Sequence, residues 1–415
     1  MMKVVIIAGG KGTRIASIAS DVPKPMIPIA GKPVVEYQVE LAKRYGFKDI
    51  LFITGHLGDV IENYFGDGSK WGVNIDYFRE SEPLGTAGAL RLVQDRLTDE
   101  FWVFYGDTVM DFDMTAMLEY HHSKGADATL FLHPNDHPFD SDLVEVGEDG
   151  YVTGFLPKPH EGKDHRNLVN AALYILNKKC IRHIPAGKAD FGKNIFPQML
   201  SEEEKISGYI SPEYIKDMGT PDRWEAVGND ILSGKVARLN KANMRPCVFL
   251  DRDGTINKEV NLLSDPSQME LLPGAAEAIR MINKSGYLAI VVTNQPQIAR
   301  NLCNFADLRR IHDRLETLLG EKGAYLDAIY FCPHHPDKGY PEERPEYKIE
   351  CSCRKPKPGM LLKAAEDFNI DLSASYMIGD SPRDVGAGEA AGVKKAVLIE
   401  TNAEEALLEA VKNLK

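Results

Sequence analysis

Two aspartates separated by one residue follow a short apolar run in the middle of the chain. Residues 248–250 are apolar, and the sequence DRDGT begins at Asp251 and places a second carboxylate at Asp253. Carboxylates at positions i and i+2 leave a strand on the same side, and Gly254 allows a tight turn just after them. Two such carboxylates repel each other unless a cation or a shared proton compensates. The predicted chemistry is attack by Asp251 on an electrophile, with Asp253 moving the proton.

Later stretches favour this chemistry over the alternative, an Asx-rich turn that closes a strand. Thr293 and Asn294 end a second apolar run, where a hydroxyl and an amide can bind phosphate oxygens. Asp380 follows a third apolar run at 376–378, and Lys355 stands before it. Because ligands of open α/β sheets bind at the carboxyl ends of the strands, we expect these side chains to meet.

Three cysteines and a histidine form two close pairs. Cys332 and His334 are two residues apart, as are Cys351 and Cys353, on one stretch of chain. Three thiolates and an imidazole form a closed tetrahedral set that is typical of structural Zn²⁺. His335 is a competing ligand, and scattered buried cysteines are the alternative. The remaining cysteines, Cys180, Cys247 and Cys303, are expected to be small core residues.

The first half of the chain begins with a β-branched run at 3–7 that leads into a glycine-rich loop. Three glycines let the backbone approach a ligand closely, and successive amides can bind an anion. The spacing is neither that of a dinucleotide-binding loop nor that of a P-loop. The loop residues are Ala8, Gly9, Gly10, Lys11, Gly12, Thr13 and Arg14. Two prolines fix the direction of Lys24, and Asp107 follows another apolar strand, where a metal or phosphate ligand is expected.

Strands that alternate with helices position these residues and predict two doubly wound, Rossmann-like α/β domains with mainly parallel sheets. A chain of 415 residues is too long for one ordinary core. Arg245 and Pro246 should interrupt any helix, so the predicted domains are 1–240 and 245–415. Helices are expected at 222–238 and at 273–285, the latter with Pro273 in its first turn.

Composition excludes several classes of protein. Hydrophobic content of 43% and charged content of 27% indicate a globular protein without an apolar run long enough to cross a membrane. The N-terminal apolar run is expected to be a first strand, not a signal peptide. A net charge of −12 argues against a nucleic-acid surface. Six cysteines do not make a disulfide scaffold, and the expected location is cytoplasmic.

Four motifs of the first half, AGGKGTRI, VPKPM, EPLGTAGAL and a strand ending in GD, resemble those of the sugar-1-phosphate nucleotidylyltransferases over residues 1–230. The resemblance implies that a sugar 1-phosphate attacks the α-phosphorus of a nucleoside triphosphate and that pyrophosphate leaves. It implies that the glycine loop cradles the nucleotide phosphates and that Arg14 and Lys24 stabilise their charge. Gly85 would lie against the base, and Asp107 with Asp217 would hold Mg²⁺. Lys158 and Asn170 would line the sugar pocket, although Pro157 and Ala172 depart from the common pattern and leave hexose specificity open.

The second half, with DRDGT, Thr293, Lys355 and GDSPRD, resembles the haloacid-dehalogenase-type phosphatases over about 246–400. This implies that Asp251 forms an aspartyl-phosphate and that Asp253 is the general acid and base. Mg²⁺ would be held by Asp251, Asp380 and the main-chain oxygen of Asp253, while Thr293 and Lys355 stabilise the transferring phosphoryl group.

The cysteine loop, followed by Arg354, resembles that of the D,D-heptose 1,7-bisphosphate phosphatases and of the related histidinol-phosphate phosphatases. Arg354 would recognise a second phosphate, a role that needs a bidentate donor. The sequence TNQP, in place of the family's TNQS, leaves the anomer preference open.

Both halves fit one sugar, so the chain resembles the bifunctional enzymes that convert heptose bisphosphate and GTP into GDP-heptose for lipopolysaccharide or S-layer glycans. The expected ligands are heptose bisphosphate, heptose 1-phosphate, GTP, Mg²⁺ and Zn²⁺, with no nucleic acid and no membrane. Two alternatives remain. The same reactions could use another sugar or ATP or CTP, or the first half could be a non-catalytic nucleotide-sugar sensor.

Overall fold

The computed structural model describes residues 2–10, 22–160, 162–339 and 343–414. The predicted loop residues Lys11, Gly12, Thr13 and Arg14 lie outside these ranges. Internal contacts divide the chain into two compact units. Unit 1 comprises Met1–His133, Val144–Leu156 and Asn170–Asn240, and unit 2 comprises Pro134–Leu143, Pro157–Val169 and Lys241–Lys415.

Unit 1 is built on a mixed sheet of nine strands. The strands of this part of the chain are β1 (Lys3–Ala8), β2 (Pro28–Ile29), β3 (Lys32–Pro33), β4 (Asp49–Thr54), β5 (Asn74–Arg79), β6 (Glu100–Tyr105), β7 (Thr108–Asp111), β8 (Ala128–His133), β9 (Leu143–Val146), β10 (Val152–Leu156), β11 (Val169–Asn177), β12 (Ile206–Ile210) and β13 (Tyr214–Asp217). The main path runs β10-β9-β11-β6-β1-β4-β5, with β8 joining β11 to β12. The centre, β6-β1-β4-β5, is parallel, whereas β11 is antiparallel to β6. Two small pairs, β2-β3 and β7-β13, lie outside this sheet.

The helices of unit 1 include α1 (Val34–Arg44), which buries one face in the core of this unit. The others described are α2 (Gly58–Phe65), α3 (Gly88–Leu92), α4 (Met114–Lys124), α5 (Phe196–Ser201), α6 (Pro221–Leu232) and α7 (Lys235–Arg238). In α1 the buried residues Val35, Val39 and Ala42 follow the three-to-four-residue period of a helix face. They join a core that contains Trp102 and Phe104 of β6. This packing fixes where β1 and β6 end.

Unit 2 is a five-stranded parallel sheet with helices between its strands. Its strands are β14 (Cys247–Leu250), β15 (Leu288–Asn294), β16 (Ala328–Cys332), β17 (Tyr376–Gly379) and β18 (Lys395–Leu398). Its helices are α8 (Ala275–Ser285), α9 (Phe305–Gly320), α10 (Gly359–Phe368), α11 (Pro382–Ala391) and α12 (Ala406–Lys412). The strand order is β16-β15-β14-β17-β18, and each neighbouring pair is parallel. The order reverses at β14 and β17, which makes their carboxyl ends the expected ligand position.

Two predicted helices differ from the structure. The helix expected at 222–238 is interrupted, because Gly234 adopts a φ of +73° and separates α6 from α7. The helix expected from Pro273 begins at Ala275, because Gly274 has a φ of +82° and so cannot continue a right-handed turn. Pro273 therefore lies before the helix and not in its first turn.

Within the described ranges, every helix is too short or too polar to cross a membrane.

Candidate active sites and metal centre

Three carboxylates converge at the carboxyl edge of the unit 2 sheet. Asp251 follows β14, Asp380 follows β17, and Asp384 lies in the first turn of α11. One oxygen of each lies within 4.8 Å of the others. Hard oxygen ligands at this spacing are what a divalent cation such as Mg²⁺ requires, so the donor set fits the expected metal.

A buried lysine lies between two of these acids. Lys355 Nζ is 2.7 Å from Asp251 Oδ1 and 2.6 Å from Asp384 Oδ1, and it donates to the Val292 carbonyl at 2.7 Å. Burial would lower the pKa of Lys355, but the two carboxylates outweigh burial and raise it. Burial raises the pKa of Asp251, and Lys355 opposes that rise. The lysine thus supplies part of the positive charge that the acids need.

Asp253 is held by donors on both of its oxygens. The Arg252 guanidinium contacts them at 2.8 to 3.1 Å, Gln295 Nε2 donates to Oδ2 at 2.9 Å, and Asn257 Nδ2 donates to Oδ1 at 2.9 Å. Burial would raise the pKa of Asp253, but these donors, led by Arg252, lower it. The side chain is therefore a carboxylate in the free protein.

The other predicted phosphate ligands surround this centre. Thr293, the residue before the last one of β15, is buried and accepts a hydrogen bond from Gln295 at 2.9 Å. Asn294 Oδ1 accepts from the Lys355 amide at 3.0 Å, and its Nδ2 donates to the Lys355 carbonyl at 3.2 Å. Asn294 therefore orients the backbone of Lys355. Arg354 donates to the His334 carbonyl at 3.1 Å, and burial lowers its pKa.

The cysteine cluster is assembled as a compact set. Cys353 Sγ lies 3.2 Å from Cys332 Sγ, 3.3 Å from Cys351 Sγ and 3.4 Å from His334 Nδ1. The six cysteines are free thiols, so these contacts are not disulfides. Four soft donors within 4.8 Å of one another are compatible with a tetrahedral metal site. His335 turns Nδ1 towards the Asp337 amide, which donates to it at 3.2 Å, and is not one of the four.

In unit 1 the two predicted metal carboxylates come from adjacent strand ends. Asp107 follows β6 and forms an ion pair with Lys24. Asp217 ends β13, which pairs with β7 so that Asp217 lies opposite Thr108. The amide of Met218 donates to the carbonyl of Asp107 at 3.1 Å, which fixes the two segments together.

The described part of the glycine-rich loop is crowded at one residue and open at the next. Ala8 is the buried last residue of β1. A Cβ on Gly9 would lie 2.3 Å from Glu80 Oε2, whereas one on Gly10 would meet no described atom within 4 Å. Gly85 has a φ of +78°, and a Cβ there would lie 2.3 Å from the Ala189 carbonyl oxygen. The left-handed backbone and the close carbonyl therefore both require glycine at position 85. The contact with the nucleotide base stays a prediction.

The two predicted sugar ligands belong to different units. Lys158 belongs to a segment grouped with unit 2, where its exposed ammonium lies 3.0 Å from Asp140 Oδ1. Asn170 belongs to unit 1, and its side chain accepts from the Ala172 amide at 3.1 Å.

Sequence reasoning missed five polar residues of the two sites. Asp384 had a signal, because it stands four residues after Asp380 in GDSPRD and so returns to the same edge on the first turn of α11. Glu80 reaches Gly9 only through the fold. Arg252 and Asn257 contact their near neighbour Asp253. Gln295 joins its near neighbour Thr293 to Asp253 across the fold. The missed residues are Glu80, Arg252, Asn257, Gln295 and Asp384.

Comparison with known proteins agrees with this division. The nucleotidyl transferase family matches residues 3–234, and the HAD-hydrolase-like family matches residues 352–413. A D-glycero-beta-D-manno-heptose-1,7-bisphosphate 7-phosphatase of Pasteurella multocida is 40% identical over 158 residues, which are 38% of this chain and 83% of the relative.

Two further relatives match the first part of the chain. A UTP--glucose-1-phosphate uridylyltransferase of Synechocystis is 33% identical over 266 residues, which are 60% of this chain and 68% of that protein. A mannose-1-phosphate guanylyltransferase of Mycobacterium tuberculosis is 34% identical over 55% of this chain, which spans 64% of that relative, less than two thirds of its length. The chain therefore belongs to the nucleotidyl transferase family through its first unit, and its second unit is a phosphatase of the HAD-hydrolase-like kind.

Proposed function

We propose that the two units act in turn on one heptose. Unit 2 removes the 7-phosphate of D-glycero-D-manno-heptose 1,7-bisphosphate, and unit 1 transfers GMP from GTP to the heptose 1-phosphate, with release of pyrophosphate. The observation that carries the proposal is that 158 residues of this chain are 40% identical to a heptose bisphosphate phosphatase, over 83% of that relative's length. Removal of the 7-phosphate leaves the 1-phosphate that a sugar-1-phosphate nucleotidyltransferase needs.

In the phosphatase step, Asp251 attacks the phosphorus and forms an aspartyl-phosphate, and the bond from phosphorus to the sugar O7 breaks. Because Asp253 is ionised in the free protein, it takes up a proton as the substrate binds and gives that proton to the leaving O7. Water then attacks the phosphorus of this intermediate, with Asp253 as its base, and inorganic phosphate leaves. Lys355 and the Thr293 hydroxyl stabilise charge on the phosphoryl oxygens. Asp251, Asp380 and the main-chain oxygen of Asp253 would hold Mg²⁺, which would supply positive charge at the same centre. Arg354 receives the second phosphate.

In the transfer step, an oxygen of the sugar 1-phosphate attacks the α-phosphorus in line with the departing pyrophosphate. Such a reaction depends on positioning and charge neutralisation more than on covalent help. The amides of Gly9, Gly10, Gly12 and Thr13 would cradle the phosphates, with Arg14 and Lys24 supplying positive charge. Mg²⁺, held by Asp107 and Asp217, would neutralise the triphosphate.

Glu80 supports the choice of GTP. One of its carboxylate oxygens lies against Gly9, and the other accepts from the Leu84 amide at 3.2 Å. A carboxylate only accepts hydrogen bonds, and guanine presents two adjacent donors, N1–H and the exocyclic amine, on one edge. Uracil and thymine offer one donor flanked by carbonyl oxygens, which a carboxylate would repel.

The cysteine cluster supports a structural Zn²⁺. Closed four-ligand sets of this type stabilise loops and do not carry out chemistry. We assign Zn²⁺ to Cys332, His334, Cys351 and Cys353, and we assign the product, GDP-heptose, to surface glycans.

The test is product analysis with both anomers of the bisphosphate, Mg²⁺ and each of four nucleoside triphosphates. One phosphate and one pyrophosphate per heptose are expected, with GTP preferred. Turnover of a hexose 1-phosphate without turnover of heptose would contradict the proposal, and turnover with ATP or CTP alone would favour the alternative nucleotide.

The sensor alternative predicts a different result. If unit 1 only binds nucleotide sugars, the unchanged protein should not convert heptose 1-phosphate and GTP. The variant Asp107→Asn, which lacks the proposed metal carboxylate, should then behave in the same way. Pyrophosphate release that occurs in the unchanged protein and is lost in Asp107→Asn rules the sensor out.

A further inference from the structure

Gln295 is a buried amide with every polar atom used inside the phosphatase site. It is fully buried, next to Asn294 at the end of β15. Its Oε1 accepts from Arg252 at 2.9 Å. Its Nε2 donates to Thr293 Oγ1 and to Asp253 Oδ2, both at 2.9 Å. One side chain therefore joins the expected phosphate-binding hydroxyl to the expected general acid and base.

The bond to Thr293 decides what that hydroxyl can do. A hydroxyl has one hydrogen and two acceptor lone pairs. Because Gln295 donates to Oγ1, one lone pair is occupied, and the hydroxyl hydrogen remains available for another acceptor. In a phosphatase that acceptor is a phosphoryl oxygen, so the amide orients Thr293 as a donor to the substrate.

The bond from Gln295 to Asp253 helps to fix the orientation of that carboxylate. Arg252 and Asn257 already donate to its oxygens, and Gln295 adds a donor at Oδ2. Arg252 and Asn257 are themselves fully buried. The carboxylate is therefore held in one orientation before substrate binds.

We propose that Gln295 is a positioning residue that fixes the Thr293 hydroxyl and the Asp253 carboxylate relative to each other, so that phosphoryl binding and proton transfer occur at a set spacing. The inference rests on the phosphatase chemistry proposed above and not on the identity of the sugar. It predicts that loss of the amide donor weakens both functions together, although Gln295 touches no reacting atom.

The test compares two buried glutamines two residues apart. Gln295→Met removes the amide at nearly constant volume. The matched control is Gln297→Met, because Gln297 is also buried and, among the described residues, donates to the Leu263 carbonyl at 3.0 Å and not to a residue of the site. Gln295→Glu keeps an oxygen that accepts from Arg252 and loses the N–H donor to Thr293 and Asp253. It therefore separates the bond to Arg252 from the bonds to Thr293 and Asp253.

With heptose bisphosphate as substrate, we expect kcat of Gln295→Met and Gln295→Glu to fall about 10- to 100-fold, the range of a misplaced acid–base group. We expect Gln297→Met to lower the Tm, because a buried hydrogen bond is lost. Its kcat should stay within about twofold of the parent, because the described bond of Gln297 is to the Leu263 carbonyl and not to a site residue. Affinity for beryllofluoride with Mg²⁺, measured by the shift in Tm, should fall in both Gln295 variants and not in Gln297→Met. In a Thr293→Ala background, Gln295→Met should lower beryllofluoride affinity no further.

Equal kcat in Gln295→Met and Gln297→Met, or full activity in Gln295→Glu, would overturn the proposal. A parent protein that releases no phosphate from heptose bisphosphate would instead contradict the proposed function. The beryllofluoride comparison would still decide the role of Gln295, because it needs no sugar.

Discussion

Charge balance among single residues explains why the phosphatase centre suits a divalent cation. Asp251, Asp380 and Asp384 carry three negative charges, and Lys355 supplies one positive charge at 2.7 and 2.6 Å from two of them. Two negative charges remain, the charge that one Mg²⁺ neutralises. A buried charge without compensation is strongly unfavourable. Neutralising the three acids would therefore take both the lysine and the proposed Mg²⁺.

At the same scale, Glu80 is predicted to select the base. We expect Glu80→Gln to lower kcat/KM for GTP at least about 10-fold, because an N–H donor replaces a carboxylate oxygen that is proposed to accept from guanine. Turnover with UTP or dTTP should fall less or rise, because the amide can donate to a pyrimidine carbonyl.

The control for this change is Glu82→Gln, which removes the same charge two residues away at an exposed position. The measurement is kcat/KM for four nucleoside triphosphates with each variant. An equal loss for all four in Glu80→Gln would show that Glu80 supports the loop at Gly9 and does not read the base.

At the scale of elements, helix α9 carries a buried histidine into the phosphatase core. His312 packs against Phe331, and its Nε2 has no hydrogen-bond partner among the described residues. Burial, with Arg252 nearby, lowers the pKa of His312 to about 3. The ordinary value in an unfolded chain is about 6.5.

This difference predicts acid sensitivity with a definite sign. Above about pH 6.5 the histidine is neutral in both states and has no pH effect. As the pH falls from there towards 3, only the unfolded chain binds the proton, so the free energy of unfolding drops by at most about 1.4 kcal/mol per pH unit from this group. In His312→Phe that contribution should be absent.

The measurement is denaturant unfolding of both proteins between pH 7 and pH 4. The stability difference between His312→Phe and the parent should move in favour of the variant as the pH falls. A difference that stays constant with pH would mean that folding does not lower the pKa of His312.

The metal-binding loop is a second element whose stability can be tested. We expect Cys353→Ser to lower bound zinc and to disorder the segment that carries Arg354, because Arg354 follows the cluster directly and bonds to His334. Phosphate release should fall, with nucleotidyl transfer retained. Cys303→Ser is the control, since Cys303 is a buried free thiol outside the cluster. Full zinc content in Cys353→Ser would point to His335 as a replacement ligand.

Elements with local signals could be predicted from the sequence, and contacts made across the fold could not. The strand ends at Asp251 and Asp380 follow apolar runs and glycines, so their meeting was predictable. Gln295 and Arg252 look like ordinary polar residues, because the bonds that join them to each other, and Gln295 to Asp253, are made between different strand ends. The start of α8 was missed because proline is common in a first helical turn, whereas here Gly274 takes a left-handed conformation after it.

At the scale of the whole molecule, the two units place acids and a lysine in the same kind of position, although their sheets differ in strand order. Each unit places acids just beyond the carboxyl ends of central parallel strands, β6 in unit 1 and β14 and β17 in unit 2. Each also places a lysine against an acid, Lys24 on Asp107 and Lys355 on Asp251. Phosphate chemistry at both ends of one sugar can therefore proceed without a residue common to the two sites.

Independence of the sites predicts complementation between two inactive proteins. Asp251→Asn removes the nucleophile and should release no phosphate from heptose bisphosphate, although it still converts heptose 1-phosphate and GTP. Asp107→Asn should release phosphate and stop at heptose 1-phosphate. Mixed in one solution with bisphosphate, GTP and Mg²⁺, the two should form GDP-heptose, because the intermediate can diffuse from one protein to the other.

The controls are each variant alone, which should form no GDP-heptose, and a chain carrying both substitutions, which should form neither phosphate nor product. The mixture should show a lag that shortens as the concentration of Asp107→Asn rises, because phosphate removal supplies the second step. If the mixture forms no GDP-heptose while Asp251→Asn still uses added heptose 1-phosphate, the released intermediate is not that compound, and the assignment of unit 2 to the 7-phosphate is wrong.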